Sequence, residues 1–341
     1  MACLGGGRTD MDISRTTPVS PALKIGFAPE LAAFSSVAAI GLAGYFIYPE
    51  ELAFLTRLIS ITFLVLSLDL VTGYCGVATL GQAALFGIAA YAVGNACLAG
   101  MTNPLLLLLA GIVAGACAGL VSGVLITRFR GLPQLVLSIA IGQLVTALAS
   151  KLTSWTGGSD GLSGIEPAPL FGMFAFDLYG RTAYVLSVAA LAAVFTVLIR
   201  FVRSPFVLLC RGIKDDDLRA RMIGAAVYPR LIVMYGVSGG VAGLGGALSA
   251  VTTGVVGLDS AGFERSAEAL VMLVLGGTGR LWGALAGAIL FQVFEHAVSA
   301  SNPFHWLAMV GVLLIVIMVF APGGLAHGGS VAWTALTRRR R

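Results

Sequence analysis

Little in this chain has the residue types and spacing for covalent chemistry. Three His and five Cys stand among 341 residues. His296 and His305 flank a loop beside Glu295, a spacing that does not make a metal site. Cys3, Cys75, Cys97, Cys117 and Cys210 form no CxxC pair, and three of them lie in apolar runs, where Cys packs as a small hydrophobe. No Ser, His and Asp set suits nucleophilic catalysis, and there is no GxxxxGK[ST] loop to cradle a nucleotide's phosphates. Neither intrinsic enzymatic activity nor a cofactor is expected. What stands out is polar groups inside apolar runs: Thr79, Gln82, Asn95, Gln143, Thr146, Thr278 and Gln292. Such side chains are costly in lipid and face a bundle interior or a cavity. Each either lines a solute path or bonds helix to helix, and packing is the simpler reading for most. Thr79, Gln82, Gln143 and Thr278 are the candidates for the path; Gln82 and Gln143 each follow a Gly.

Charge is scarce in the same runs. Arg57 is the only Lys or Arg well inside a candidate span. A path with so few basic groups suits a neutral or zwitterionic solute rather than an anion. Glu268 suits the positive end of a short helix's dipole. Asp69 lies late in its apolar run, where snorkelling or pairing with a basic loop residue would satisfy it.

One polar stretch has a docking element's pattern. Ser204 and Pro205 suit the N-cap and first turn of a helix over 205–224, and Gly224 suits its stop, a position expected to tolerate substitution poorly. At helical spacing Leu209, Ile213, Leu218, Met222 and Ile223 fall on one broad side, with Arg211, Asp215, Asp217, Arg219 and Arg221 around it. Such a helix docks into a groove of a soluble partner or lies on the membrane surface. The Asp215-Asp216-Asp217 run argues against simple adhesion to anionic lipid. For docking, Arg211, Asp215, Asp217, Leu218, Ala220 and Gly224 are the candidates.

The elements that position these residues follow from composition. The chain is 58% hydrophobic and 11% charged, with a mean hydropathy of +0.95. A soluble domain carries about 25% charged residues. This composition implies an all-α integral membrane protein, a polytopic bundle of about ten transmembrane helices, some short or broken. Candidate spans are 31–48, 52–72, 82–99, 104–127, 132–150, 181–199, 231–251, 264–277, 281–298 and 304–320. The net charge of +5 sits in short clusters between these spans, which points to cytoplasmic loops and away from nucleic acid. Arg128 and Arg130, the 203–230 stretch, and Arg338 to Arg341 fall on one side only if 264–277 and 281–298 cross separately. Both termini are then cytoplasmic: a loose tail over 1–28 with no signal-peptide pattern, a membrane-spanning domain over 29–326, and a basic tail over 327–341. A single helix over 264–290 would put the C-terminus outside. The turn-rich 151–180 stretch is expected to be external.

Several blocks, taken in order, carry a resemblance. They are Gly73-Tyr74-Cys75-Gly76-Val77-Ala78-Thr79-Leu80-Gly81-Gln82-Ala83, Arg130-Gly131-Leu132, Gly142-Gln143, Thr156-Gly157-Gly158-Ser159-Asp160-Gly161-Leu162, the Ser204 to Gly224 stretch with Tyr228 and Arg230, Ser238-Gly239 with Ala242 to Leu248, Leu275-Gly276-Gly277-Thr278-Gly279 with Trp282-Gly283, and Phe320-Ala321-Pro322-Gly323-Gly324-Leu325. Over roughly 60–328 the chain resembles LivM-type permease subunits of ABC importers for branched-chain amino acids. The resemblance implies a multi-pass protein of the bacterial inner membrane. It implies a second, homologous permease subunit, two cytoplasmic ATP-binding subunits and an extracytoplasmic binding protein. In that arrangement 205–224 couples to the ATPases. Permeases for urea and short amides look alike. Many members carry His where this chain has Gln82, which cannot take up a proton near neutral pH as His can. Several carry Tyr or Phe where it has Pro133. The competing reading is a self-contained channel or secondary transporter for a small neutral solute such as urea, which would have no need of a docking segment.

Overall fold

The computed structural model describes residues 28–48, 50–169, 180–301 and residue 311. Apart from residue 311, the expected span over 304–320 lies outside these residues, as do His305, the expected N-terminal tail up to residue 27 and the C-terminal tail. Twelve α-helices follow in order among them: α1 (Ala28–Ile47), α2 (Leu52–Leu68), α3 (Gln82–Leu98), α4 (Pro104–Ile126), α5 (Leu132–Lys151), α6 (Thr153–Thr156), α7 (Arg181–Val202), α8 (Pro205–Asp215), α9 (Asp217–Met222), α10 (Val227–Thr253), α11 (Phe263–Gly276) and α12 (Leu281–Ser301). A π-helical stretch, Asp69–Tyr74, continues α2 without a break. Leu162–Ser163 and Val255–Val256 pair as short antiparallel strands, with Leu162 opposite Val256. Six helices among the described residues are long and apolar enough to cross a membrane, and Phe34–Ile47 of α1 and Gln82–Leu98, which is α3, are shorter apolar stretches. The protein is an all-α, polytopic membrane bundle.

Helix ends follow local sequence. Asn103 caps α4, its side chain accepting from the Leu105 N–H at 3.1 Å with Pro104 in the first turn. Within α2, Thr56, Ser60, Thr62 and Ser67 donate their hydroxyls to carbonyls one turn back. Backbone acceptors within the helix let such hydroxyls persist where no water reaches them.

The core is built around α2 and α10, which are buried along nearly their whole length. Glycines make the closest helix pair. Gly111, Gly115, Gly119 and Gly123 repeat every fourth residue on α4 and meet Gly239, Gly243 and Tyr235 of α10. A Cβ on Gly115 would run into the Gly239 carbonyl, and one on Gly243 into the Gly111 carbonyl. Small residues at this spacing let membrane helices touch backbone to backbone, where dispersion and weak Cα–H···O contacts hold them.

Helices α11 and α12 form an antiparallel hairpin. Gly276 lies against Gly283, and Gly287 against the Met272 carbonyl, so no single helix runs through 264–290. The break is at Gly277 and Gly279, with φ of 96° and 78°. Positive φ at both suits Gly alone.

Candidate functional site

Two polar constellations sit in this bundle. The deeper one gathers at the start of α3. The chain from Val77 to Gly81 is not helical, so α3 begins with backbone N–H groups that have no partner of their own in the helix. Other segments supply the acceptors. Ser138 of α5 accepts from the Leu80 N–H at 3.0 Å, Thr79 from the Gly81 N–H at 3.2 Å, and Ser266 of α11 from the Ala83 N–H at 3.0 Å. Ser238, near the middle of α10, donates to the Ser67 carbonyl at 2.8 Å and lies 3.4 Å from Gln82 Oε1. Gln82 is 1% exposed, and its Nε2 has no hydrogen-bond partner in the chain. Five segments thus meet around the start of α3, where the Gln82 amide, approached by Ser238, retains donor capacity inside a membrane bundle.

The four expected path residues separate. Thr79 and Gln82 belong to this knot, both buried. Gln143 lies on α5 beside Gly142, which approaches Gly81, but its own side chain is exposed. Thr278 is exposed in the turn between α11 and α12, away from the knot, because Gly277 to Arg280 form the tip of that hairpin. Other polar residues hold helices together. Asn95 donates to the Tyr91 and Trp155 carbonyls at 2.9 and 2.7 Å, and Gln292 to the Leu58 carbonyl at 3.4 Å. Thr146 bonds the Gly142 carbonyl at 3.1 Å and the Ala261 carbonyl at 3.2 Å. Glu268 pairs with Arg265 at 2.9 Å. His296 stacks on Phe54 at 4.2 Å, with Glu51 3.9 Å from its Nε2. Sequence reasoning missed Ser138, Ser238 and Ser266, since serines in apolar helices usually bond their own backbone.

The second constellation lies at the bundle end that carries Arg130 and α8. Asp69, fully buried, accepts from the Gly279 N–H at 2.6 Å through Oδ1, and its Oδ2 has no hydrogen-bond partner. Gly73 fits only because it lacks a side chain: a Cβ there would strike both the Asp69 carboxylate and the Gly279 nitrogen. From α8, Lys214 Nζ donates to the Gly73 carbonyl at 2.7 Å, and the Arg211 guanidinium lies 4.9 Å from the Tyr74 ring centroid. Cys75 and Cys210 are both buried free thiols, and the neighbouring Cys210 together with burial raises the Cys75 pKa above the ordinary thiol value. One joint therefore ties α8, the end of α2 and the α11–α12 turn. The sequence signal for Asp69 was that it is the one acidic residue in the 52–72 run.

The expected helix over 205–224 is two helices. Asp216 adopts φ −156° and ψ 103° and ends α8, while its side chain accepts from the Arg219 N–H at 3.1 Å and caps α9. Ser204 caps α8, accepting weakly from the Val207 N–H at 3.5 Å. The break rotates the faces. Val207, Cys210, Ile213 and Ala220 are buried, while Leu218, Met222 and Ile223 are 65%, 79% and 80% exposed. Leu209 and Ile213 therefore do not share a face with Leu218 and Met222. Asp217 pairs with Arg130 and Arg221, each at 3.0 Å, and Arg219 with Asp216 at 2.8 Å; Asp215 and Arg211 are exposed on α8. Burial lowers the Arg130 pKa from its ordinary value, and Asp217 works against that shift. Gly224, at φ 83°, closes α9: its N–H donates to the Arg221 carbonyl at 2.9 Å, and the Ala225 N–H to the Ala220 carbonyl at 3.0 Å. These two bonds are a Schellman motif. No atom lies within 4 Å of a Cβ built on Gly224, so only backbone strain opposes substitution there.

A multi-pass bundle, with a helix starting in its interior beside an unpartnered amide and an amphipathic pair wired to a broken hairpin, is the architecture of a membrane permease. The family model described as "Branched-chain amino acid transport system / permease component" matches residues 52–322, and the chain belongs to that family. It is 28% identical over 283 residues to the high-affinity branched-chain amino acid transport system permease protein LivM of Escherichia coli (strain K12), and equally to that of Salmonella typhimurium. The match covers 76% of this chain and 66%, just under two thirds, of each relative. No solved structure matches the chain.

Proposed function

We propose that this chain is the membrane-spanning subunit of an ABC importer in the bacterial inner membrane, and that it moves branched-chain amino acids or a solute of similar size and polarity. The observation that carries the reading is the joint at Gly73. A permease must convert the motion of a soluble motor into a change among its membrane helices. Lys214 and Arg211 of α8 reach the end of α2, and Asp69 reaches the α11–α12 turn. ATP-binding subunits docking on α8 and α9 would push on both membrane elements at once. Leu218, Met222 and Ile223 are the exposed apolar groups for that contact, with Asp215 and Arg219 flanking them to fix register. Ala220 and Gly224 act as structural members of α9, the first by burial and the second by its conformation.

The solute end of the mechanism is the knot at Gln82. The free Nε2 and the positive end of the α3 dipole favour a carboxylate, and no Lys or Arg is among the groups gathered there. Dipoles without full charge suit a zwitterion, which must also leave. The exposed face of α5, with Val136, Gln143, Leu144 and Leu148, is the surface for a second, homologous permease subunit. Gln143 would then face the subunit boundary, next to the turn that begins α3. An extracytoplasmic binding protein would deliver the solute at the opposite end from α8, and lipid surrounds the rest.

The test is reconstitution with candidate ATP-binding, second permease and binding-protein subunits. Radiolabelled leucine should accumulate in proteoliposomes only with ATP and binding protein present. Leucine flux that needs neither, through this chain alone, would overturn the reading in favour of a self-contained carrier.

A further inference from the structure

The bundle end that carries α8 has a cleft of about 610 Å³ between the end of α7, α8 and the start of α12. Three arginines from three different segments line it: Arg203 after α7, Arg211 on α8 and Arg280 before α12. All three are exposed. Its walls are apolar, from Ile199, Leu208 and Leu281 among others, and Trp282 stands at its rim with 44% exposure. The Trp282 ring is anchored edge-on against Phe195, with centroids 4.7 Å apart. We propose that this cleft binds the headgroup of an anionic phospholipid.

The chemistry and the position agree on this occupant. Guanidinium groups bind phosphate oxygens through paired N–H donors, and three of them converging on one concavity outbid the scattered basic residues of an ordinary cytoplasmic loop. The cleft opens where two spanning helices, α7 and α12, reach the membrane surface, so acyl chains can lie along Ile199 and Leu208 while the headgroup meets the arginines. Trp282 is the residue type that settles at this depth. Basic pockets between spanning helices are known headgroup sites as a class. The Asp215 to Asp217 run, which opposes lipid adhesion along α8 and α9, does not line the cleft. Nor does Asp69, whose Oδ1 accepts from the Gly279 N–H. The site has a consequence for transport. Tyr74 and Gly279 also line the cleft, so a bound headgroup rests against the joint that connects α8 to α2 and to the α11–α12 turn.

Trp282 gives a local readout. The full chain, with whatever subunits co-purify, is placed in nanodiscs containing phosphatidylglycerol or phosphatidylcholine with dibrominated acyl chains. The part of the emission lost in Trp282→Phe is taken as the signal. Phosphatidylglycerol should quench it at a mole fraction roughly tenfold below that needed for phosphatidylcholine. Arg203→Gln with Arg280→Gln should erase that preference, and Arg203→Lys with Arg280→Lys should keep most of it. Equal quenching by the two lipids in the parent protein overturns the proposal, whether or not the variants fold. If the lipids quench alike and inorganic phosphate alone alters the emission, the cleft is a free-anion site and the lipid assignment falls. If the Gln pair keeps the lipid preference but loses the ATP-binding subunits, the arginines serve a protein contact and the proposal also falls.

Discussion

The Asp69 carboxylate holds the Gly279 N–H at 2.6 Å across 210 residues of chain. This bond closes the end of α2 onto the tip of the α11–α12 hairpin. Replacing Asp69 by Ala removes the acceptor of a half-buried N–H, a loss of about 1 kcal/mol. Asp69→Asn keeps an acceptor oxygen at the same position. The Ala variant should therefore unfold at lower temperature in detergent than the Asn variant, which should stay near the parent. Equal melting of the two would mean that the bond to Gly279 does not hold the joint.

Lys214 tests transmission rather than stability. Its ammonium donates to the Gly73 carbonyl at 2.7 Å, and its stem packs over Gly76. Lys214→Met keeps the stem and removes the donor. A hydrogen bond from a charged group contributes about 1.5–3 kcal/mol, so the joint should spend roughly ten times longer undocked. The expected phenotype is normal membrane insertion and normal ATP hydrolysis with solute uptake reduced about tenfold. Parallel loss of hydrolysis and uptake would place Lys214 in assembly, not in transmission.

The α4–α10 seam predicts a contrast between neighbours. A Cβ on Gly243 would meet the Gly111 carbonyl, whereas one on Gly240 would find its nearest atom at an ordinary 3.6 Å. Gly240→Ala should be close to neutral, because the added methyl meets its neighbours only at ordinary van der Waals distance. Gly243→Val should separate the helices at a cost of about 1–3 kcal/mol or more. Folded yield after detergent extraction would separate them, and equal yields would contradict the backbone contact.

Hydropathy made the spans legible because each must bury some 20 apolar residues whatever its neighbours do. The glycines from Gly276 to Gly279, with the count of basic clusters on one side, separated α11 from α12. Depth and direction were less visible. Thr278, like Gln82, follows a Gly, yet it sits on an exposed turn, because that local pattern does not distinguish a hairpin tip from a helix start inside the bundle. The break at Asp216 was hidden by its neighbours: any of three consecutive Asp residues can cap a helix, and only packing of Ala220 against the bundle selects the middle one. Ser138, Ser238 and Ser266 come from three separate helices, and only the fold brings them to one place.

Gln82 is the sharpest test of the solute path. Its Oε1 lies 3.4 Å from the Ser238 hydroxyl, while Nε2 is buried with no partner. A buried donor without an acceptor is destabilising by about 1–3 kcal/mol, so its retention calls for an occupant, and the carboxylate of a zwitterionic solute is one. Gln82→Leu keeps most of the volume and removes both polar atoms. Because it also removes an unsatisfied donor, it should leave thermal stability unchanged or slightly raised. Gln82→Glu keeps an acceptor toward Ser238 but turns the free donor into an oxygen that repels a carboxylate. In reconstituted uptake, both variants should raise the KM for solute about tenfold or more, the equivalent of one hydrogen bond to a charged group, with Glu worse than Leu. Thr278→Ala, on the exposed turn, should leave KM alone. If Gln82→Leu lowers stability and leaves KM unchanged, the amide is a packing residue and the path runs elsewhere.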